Sequence, residues 1–257
     1  MARKMIFFDI DGTLLDHDKK LPASTKEAIG QLKRLGHEVA IATGRGPFMF
    51  KDIRDELGID SFVSYNGQYV EWKGKPLFVN PIQTRLLQQL TEYADGQGHP
   101  LVYMDVETMR SNKEYHVHIE ESISTLKVPH PAHDPDYFRN RDIFQTLVFC
   151  TIGEEPMYRE RFPALHFIRW HQFSMDVLPL GGSKARGIEE MIGALGIDRS
   201  DVCAFGDYFN DIEMLQFAGT SVAMGNAPDL VKKAADHVTR DVGDDGIWHG
   251  LRMVGLL

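Results

Sequence analysis

The chain has 257 residues, enough for one large domain or two modest ones. Apolar residues make up 43% and charged residues 25%, an ordinary balance for a globular protein with a sizeable core. The net charge is −9 and no lysine- or arginine-rich run is present, which argues against a nucleic-acid surface.

No apolar segment resembles a signal peptide or is long enough to span a bilayer, so the expectation is a cytoplasmic protein without a membrane partner. The acidic balance still permits a phosphorylated substrate, because one cation and a few basic groups can dominate a single pocket. Cys150 and Cys203 lie far apart and match no metal or redox spacing. They read as buried free thiols.

Ile6-Phe7-Phe8 reads as a buried strand that runs into Asp9 and Asp11. On a continuing strand these two carboxylates would share one face. Gly12 then allows a sharp turn. Two like charges this close need a cation or a shared proton. A hard divalent cation, Mg2+ for preference, suits oxygen ligands. The same residues also fit a plain strand end whose carboxylates cap backbone amides.

Ser24 and Glu27 stand at capping-box spacing ahead of Ala28, Ile29, Leu32 and Leu35, a helix that Gly36 stops. Glu38 to Ala42 is a second strand, ending in Thr43-Gly44-Arg45. Strand, helix and strand of these lengths make a right-handed parallel crossover. Ligands bind outside the carboxyl ends of such strands, so Asp9, Asp11 and Thr43 fall at one edge. Phe48 to Leu57 reads as a helix, and Asn66-Gly67 as the turn of a hairpin between Phe62–Tyr65 and Tyr69–Trp72.

From Pro81 to about Pro179 the texture changes to short strands and helices with a Pro/His-rich loop at 129–135, as expected of a second, smaller α+β domain. Arg110, Asn112 and Lys113 read as a polar loop there, solvated rather than substrate-reading. The histidines at 116, 118, 130, 133, 166 and 171 suggest zinc less than structure, since an i, i+2 pair diverges on a helix. From Gly181 the first pattern resumes. A helix begins beside Ser183-Lys184, and a strand 201–205 ends in Gly206-Asp207 with Asn210 and Asp211 behind. A strand Thr220–Met224 and a helix from the Gly225-Asn226 turn to Ala235 follow, then a final helix 246–253.

Taken singly, Thr43, Lys184, Asp207, Asn210 and Asp211 have bland readings as caps or solvated side chains. Together with Asp9 and Asp11 they form a chemical set. It comprises a carboxylate nucleophile, an acid/base carboxylate, a hydroxyl, an ammonium and further metal-binding carboxylates. Phosphoryl transfer needs that set, because its catalysis is mostly positioning and charge stabilisation.

Four stretches carry a resemblance: Phe8-Asp9-Ile10-Asp11-Gly12-Thr13, Ala42-Thr43-Gly44-Arg45, Gly182-Ser183-Lys184 and Gly206-Asp207-Tyr208-Phe209-Asn210-Asp211. They resemble the four ordered motifs of the haloacid dehalogenase superfamily, closest to its Cof-type, subclass IIB phosphatases. Ser64-Tyr65-Asn66-Gly67 resembles a hairpin segment of that group. The resemblance implies an α/β protein with a Rossmann-like three-layer core and a parallel sheet, over 1–80 and 181–257. It implies an inserted C2B-type α+β cap domain over 81–180, with hinges near Asn80-Pro81 and Gly181-Gly182.

The resemblance also implies roles. Asp9 is the expected nucleophile and Asp11 the expected acid/base, with its backbone carbonyl on Mg2+. Asp9, Asp11, Asp207 and Asp211 form the expected metal set. Thr43, Gly44, Lys184 and Asn210 are the expected phosphate contacts, and Thr43 and Lys184 belong to the catalytic group. How Asn210, Asp211 and Lys184 divide their work stays open. The implied activity is Mg2+-dependent hydrolysis of small phosphorylated metabolites, sugar phosphates or phosphorylated cofactors, by a monomer or homodimer. The alternatives are a phosphomutase and a phosphometabolite-binding regulator without turnover.

Overall fold

β1 (Met5–Phe8) carries four apolar residues in a row, and all four are buried. Such a run, with no polar alternation, suits a central parallel strand covered on both faces. In the computed structural model, which describes residues 3–257, that is its place. The chain then forms α1 (Ala23–Arg34) and β2 (Glu38–Ala42), which pairs in parallel with β1. α2 (Lys51–Leu57) leads to β3 (Phe62–Ser64), and β4 (Tyr69–Trp72) and β5 (Lys75–Val79) extend the sheet antiparallel.

The next stretch holds α3 (Thr84–Gln97), β6 (Leu101–Met104), β7 (Met109–Ser111), α4 (Val117–Ser124) and β8 (Gln145–Phe149). α5 (Glu155–Arg161), β9 (Leu165–His171) and β10 (Ser174–Pro179) complete it. The chain returns through α6 (Lys184–Leu195), β11 (Val202–Gly206), α7 (Ile212–Phe217) and β12 (Thr220–Ala223). α8 (Asp229–Lys232), β13 (His237–Val238) and α9 (Gly246–Met253) end it.

Two compact units result. One contains Met1–Arg45, Met49–Val79 and Ser183–Leu257; the other contains Gly46–Phe48 and Asn80–Gly182. The first has an eight-stranded sheet in the order β13-β12-β11-β1-β2-β3-β4-β5, parallel from β13 to β3. Phe7, Ala40 and Val63 of the strands pack with Ile188 and Met191 of α6 and Met214 of α7 in one buried cluster. Full burial of a side chain such as Ile188 contributes about 1.5–3 kcal/mol. α1 packs against β2, α2 and α9. The architecture is α/β and three-layered. The second unit is α+β, with a five-stranded antiparallel sheet in the order β7-β6-β8-β10-β9. Leu87 and Leu90 of α3 and Tyr158 of α5 share its core with Tyr103, Val148, Phe167 and Val177. Among the described residues no helix is long and apolar enough to cross a membrane.

Several local expectations are corrected. α1 begins at Ala23 behind Pro22, so Ser24 lies inside the helix and its buried hydroxyl has no partner. Pro22, at φ −62° and ψ 142°, sets the entry earlier than the Ser24–Glu27 box required. The helix from residue 48 starts as a 3-10 turn, Pro47–Phe50, and that after Pro228 spans only Asp229–Lys232. Arg110 lies on β7 rather than in a loop, and α5 and the two-residue β13 add elements. Asn112 is buried: its Oδ1 accepts from the Leu101 N–H at 2.7 Å and its Nδ2 donates to Asp95 at 3.1 Å. Among the histidines, His116 caps α4 by accepting from the His118 N–H, and His118 stacks on Phe173 with centroids 4.2 Å apart. Both cysteines are free and buried.

On β10, Met175 and Val177 enter the core of the second unit, so Asp176 between them points to the other face. Burial pushes Asp176 up to about 7, with Trp170 pulling the other way. The folded protein therefore holds a proton that the unfolded chain has lost above about pH 4. Stability contributed at this site declines as pH rises from about 4 to about 7. Asp176→Asn is expected to flatten that decline, seen as a smaller drop in Tm between pH 5 and pH 8 than in the parent protein.

Candidate active site

The parallel strands of the first unit deliver their carboxyl ends to one edge of the sheet, where ligands bind in such folds. β1 stops at Phe8, and the Asp9 N–H still donates to the Phe205 carbonyl at 3.0 Å. The chain then turns: Leu15 N–H donates to Ile10 at 2.8 Å and Gly12 N–H to Leu15 at 2.9 Å. Because the strand does not continue, Asp9 and Asp11 do not share a strand face. They meet different partners.

Asp9 meets Lys184. The lysine is the first residue of α6, whose start Ser183 caps by accepting from the Arg186 N–H at 3.3 Å. Its ammonium has no solvent exposure and lies 2.6 Å from Asp9 Oδ1 and 2.6 Å from Asp211 Oδ1. The other oxygen of Asp211 accepts from the Asp207 and Tyr208 N–H groups, each at 2.9 Å. One carboxylate thus fixes both the lysine and the loop after β11. Asp207 is clamped in turn: Thr13 Oγ1 donates to its Oδ1 at 3.1 Å and Asn226 Nδ2 to its Oδ2 at 3.2 Å. Asn226 also donates to the Gly12 carbonyl at 2.9 Å. Gly12 has φ +80°, and a Cβ there would lie 2.2 Å from Asp207 Oδ2. Only glycine meets both conditions.

Carboxylate oxygens of Asp9, Asp207 and Asp211 lie within 4.8 Å of one another. Burial raises Asp9 most; Lys184 opposes, and Asp211, Asp11 and Asp207 add to the rise. Burial and then Asp211 push Asp207 up to about 6. Burial alone would lower Lys184, but Asp211 and Asp9 outweigh it and hold the ammonium protonated. Three buried carboxylates thus face one ammonium. An all-oxygen donor set short of positive charge fits a hard divalent cation.

Asp11 stands apart from that group. It is bound by Arg45, with Nε at 2.7 Å and Nη2 at 2.5 Å, and by Lys19 Nζ at 2.5 Å. Burial works to raise it, yet these two cations together hold its carboxyl below the ordinary carboxylate range. Thr43 is buried; its N–H donates to Val63 at 2.8 Å and its Oγ1 accepts from the Arg45 N–H at 3.2 Å. Gly44 lies against the Asn66 amide, and Asn66 Oδ1 accepts from Asn210 Nδ2 at 3.2 Å. Direct contacts therefore join Asp9, Lys184, Asp211 and Asp207. Thr43, Gly44 and Asn210 are joined to each other through Asn66, and Asp11 is joined to Arg45.

Sequence reasoning assigned no part in the site to Arg45, Lys19, Thr13, Asn66 or Asn226, reading Asn66 and Asn226 only as turn residues. Asn226 carried a usable signal, since it follows another parallel strand at the same sheet edge. Lys19 carried none: its contact with Asp11 depends on the fold of the 16–20 loop.

Residues 6–251 match the model of a family described as haloacid dehalogenase-like hydrolase. The chain belongs to that family. It is 46% identical over 257 residues to a Bacillus subtilis (strain 168) protein named "Putative phosphatase YkrA", with all of both chains covered. It superimposes on a solved hypothetical protein of Geobacillus kaustophilus HTA426 with TM-score 0.97, at 55% identity and full coverage of both. It also matches the haloacid dehalogenase subclass IIB sugar phosphatase BT4131, with TM-score 0.85 and 29% identity over 99% of this chain and 100% of that one. Family and fold make the chain a phosphatase of the haloacid dehalogenase superfamily, of the Cof type with an inserted α+β cap.

Removing one member of a buried charge group leaves the others unpaired. Lys184→Met is expected to destabilise the protein by roughly 3–5 kcal/mol at pH 8. Chemical denaturation checks it. The loss should shrink at acid pH, where Asp9 and Asp207 take up protons instead.

Proposed function

We propose that this chain is a Mg2+-dependent phosphatase of small phosphomonoesters, sugar phosphates foremost, acting through an aspartyl-phosphate on Asp9. The observation that carries the reading is the buried clasp of Lys184 between Asp9 and Asp211, with Asp207 beside it. The subclass IIB relative named as a sugar phosphatase supports the substrate class. Phosphorylated cofactors fall within the same chemistry. A cytoplasmic location completes the reading.

A carboxylate oxygen of Asp9 attacks phosphorus, and the bond to the leaving oxygen breaks. Asp11, ionised in the free protein, takes up a proton from solvent as substrate binds and gives it to that oxygen. Asp11 then takes a proton from water, the water oxygen attacks phosphorus, and phosphate leaves as the Asp9 carboxylate is restored. Arg45 holds both oxygens of Asp11, so it yields one of them whenever that oxygen carries the proton. Lys184 orients the Asp9 carboxylate and, with Thr43, Gly44 and Asn210, holds the phosphoryl oxygens. Asp9, Asp207, Asp211 and the Asp11 carbonyl would hold the cation. When bound, it offsets repulsion between the Asp9 carboxylate and an anionic phosphoryl group. Residues 81–180 are assigned as a C2B-type cap that sets substrate size, hinged near Asn80-Pro81 and Gly181-Gly182.

The test is phosphate release from a panel of sugar phosphates, pyridoxal phosphate and flavin mononucleotide. It is run with Mg2+ and with chelator, for the parent protein beside Asp9→Asn. Release that needs Mg2+ and disappears in the variant is expected. Isomerised sugar phosphate without free phosphate would replace the reading by a phosphomutase. Tight binding without either product would replace it by a regulator. Asp11→Asn is expected to slow turnover by roughly 10²–10⁴, the span of general acid/base catalysis. A rate near that of the parent protein would remove Asp11 from that role.

A further inference from the structure

The hairpin between β3 and β4 does more than reverse the chain. Tyr65, Asn66 and Gly67 all have positive φ, at 51°, 49° and 92°. Two non-glycine residues in succession in that region are uncommon and costly. Asparagine tolerates the conformation best of the non-glycine residues, and Asn66 adopts it with φ 49° and ψ 45°. A four-residue hairpin loop such as this normally sits in solvent. Here the asparagine is buried, at 5% exposure.

The strained turn is strapped to three motif segments. The Asn66 N–H donates to the Thr43 carbonyl at 3.1 Å, and the Tyr65 N–H to the Arg45 carbonyl at 3.3 Å. Gly67 closes on the start of α6, where a Cβ would lie 2.1 Å from the Ser183 carbonyl oxygen. The Asn66 side chain lies against Gly44, with Nδ2 3.1 Å from where a Cβ on Gly44 would be. Its Oδ1 takes the hydrogen bond from Asn210, whose own residue is exposed. An exposed asparagine would otherwise sample several rotamers.

We infer that Asn66 is a positioning residue of the phosphoryl site, acting through Asn210. The inference rests on the phosphatase reading, which sets Asn210 on the phosphoryl group. The hairpin locks the Asn66 backbone, and the locked amide fixes the donor of Asn210. The role assigned to Asn66 is positioning of the Asn210 donor, not contact with substrate or cation.

Asn66→Gly tests this, because glycine keeps the left-handed backbone and deletes only the side chain. Loss of one positioning hydrogen bond should lower kcat/KM for phosphate release about tenfold. Affinity for inorganic phosphate with Mg2+, measured by calorimetry, should fall in step, while the thermal unfolding midpoint changes by no more than a few degrees. Asn210→Ala should cost much less in the Asn66→Gly background than in the parent protein, since Asn210 is already misplaced there. Asn66→Asp keeps the Oδ1 acceptor and the backbone preference. Although its charge lowers phosphate affinity overall, Asn210→Ala should cost the same factor there as in the parent protein.

Independent, multiplying losses for Asn66→Gly and Asn210→Ala would overturn the inference, as would parent-like kcat/KM and phosphate affinity in Asn66→Gly. Failure of the phosphatase reading itself would appear in the parent protein, as absence of both phosphate release and phosphate binding.

Discussion

The carboxylate cluster at the sheet edge depends on one buried ammonium. Lys184 has no contact with solvent and lies 2.6 Å from each of two carboxylates. Taking such charges out of water costs several kcal/mol per ion, and only close, well-directed pairing offsets that cost. The pairing therefore demands that three distant parts of the chain arrive in register. These are the end of β1, the first residue of α6 and the turn after β11. Parallel strands supply that arrangement, because their carboxyl ends fall at one edge whatever the sequence distance between them.

The same cluster is unbalanced by design of its parts. One ammonium faces the carboxylates of Asp9, Asp207 and Asp211, and burial raises Asp9 and Asp207. The protein spends neutral groups on holding this excess charge in place. Thr13 and Asn226 grip Asp207, and backbone N–H groups grip Asp211. Such preorganisation leaves little to rearrange when an anionic substrate and a cation enter. Asp11, only two residues from Asp9, lives in a different electrostatic setting. Arg45 and Lys19 keep it ionised in the free protein. Two neighbouring carboxylates thus acquire different chemistry from their surroundings alone.

Glycine and asparagine do the structural work around the charges. Gly12 lets the Asp207 carboxylate approach the backbone, and Gly67 lets the hairpin approach the start of α6. Asn66 accepts a strained backbone, and Asn226 bridges two loops. The inserted α+β unit is built differently. Its antiparallel sheet buries one set of alternate residues against α3 and α5, and two of its histidines, His116 and His118, serve as helix cap and stacking partner.

By itself, the sequence determined the α/β class, the parallel crossover from β1 to β2 and the four motif segments. Those signals are local: an apolar run, a helical period, a strand end followed by glycine. Buried runs such as Ile6-Phe7-Phe8 leave a chain few alternatives to a central strand. Short elements were less legible. Met109–Ser111 and His237–Val238 are too brief to carry a period, and Pro22 overrode the capping pattern of Ser24. Only the tertiary structure decided the partners of Asp11. The resemblance gives Asp9 and Asp11 different roles, but nothing local to the chain joins Asp11 to Arg45 and Lys19. The reason is physical. Pairing is set by distances of a few ångströms between segments far apart in the chain, and these exist only once the sheet has brought its strand ends together.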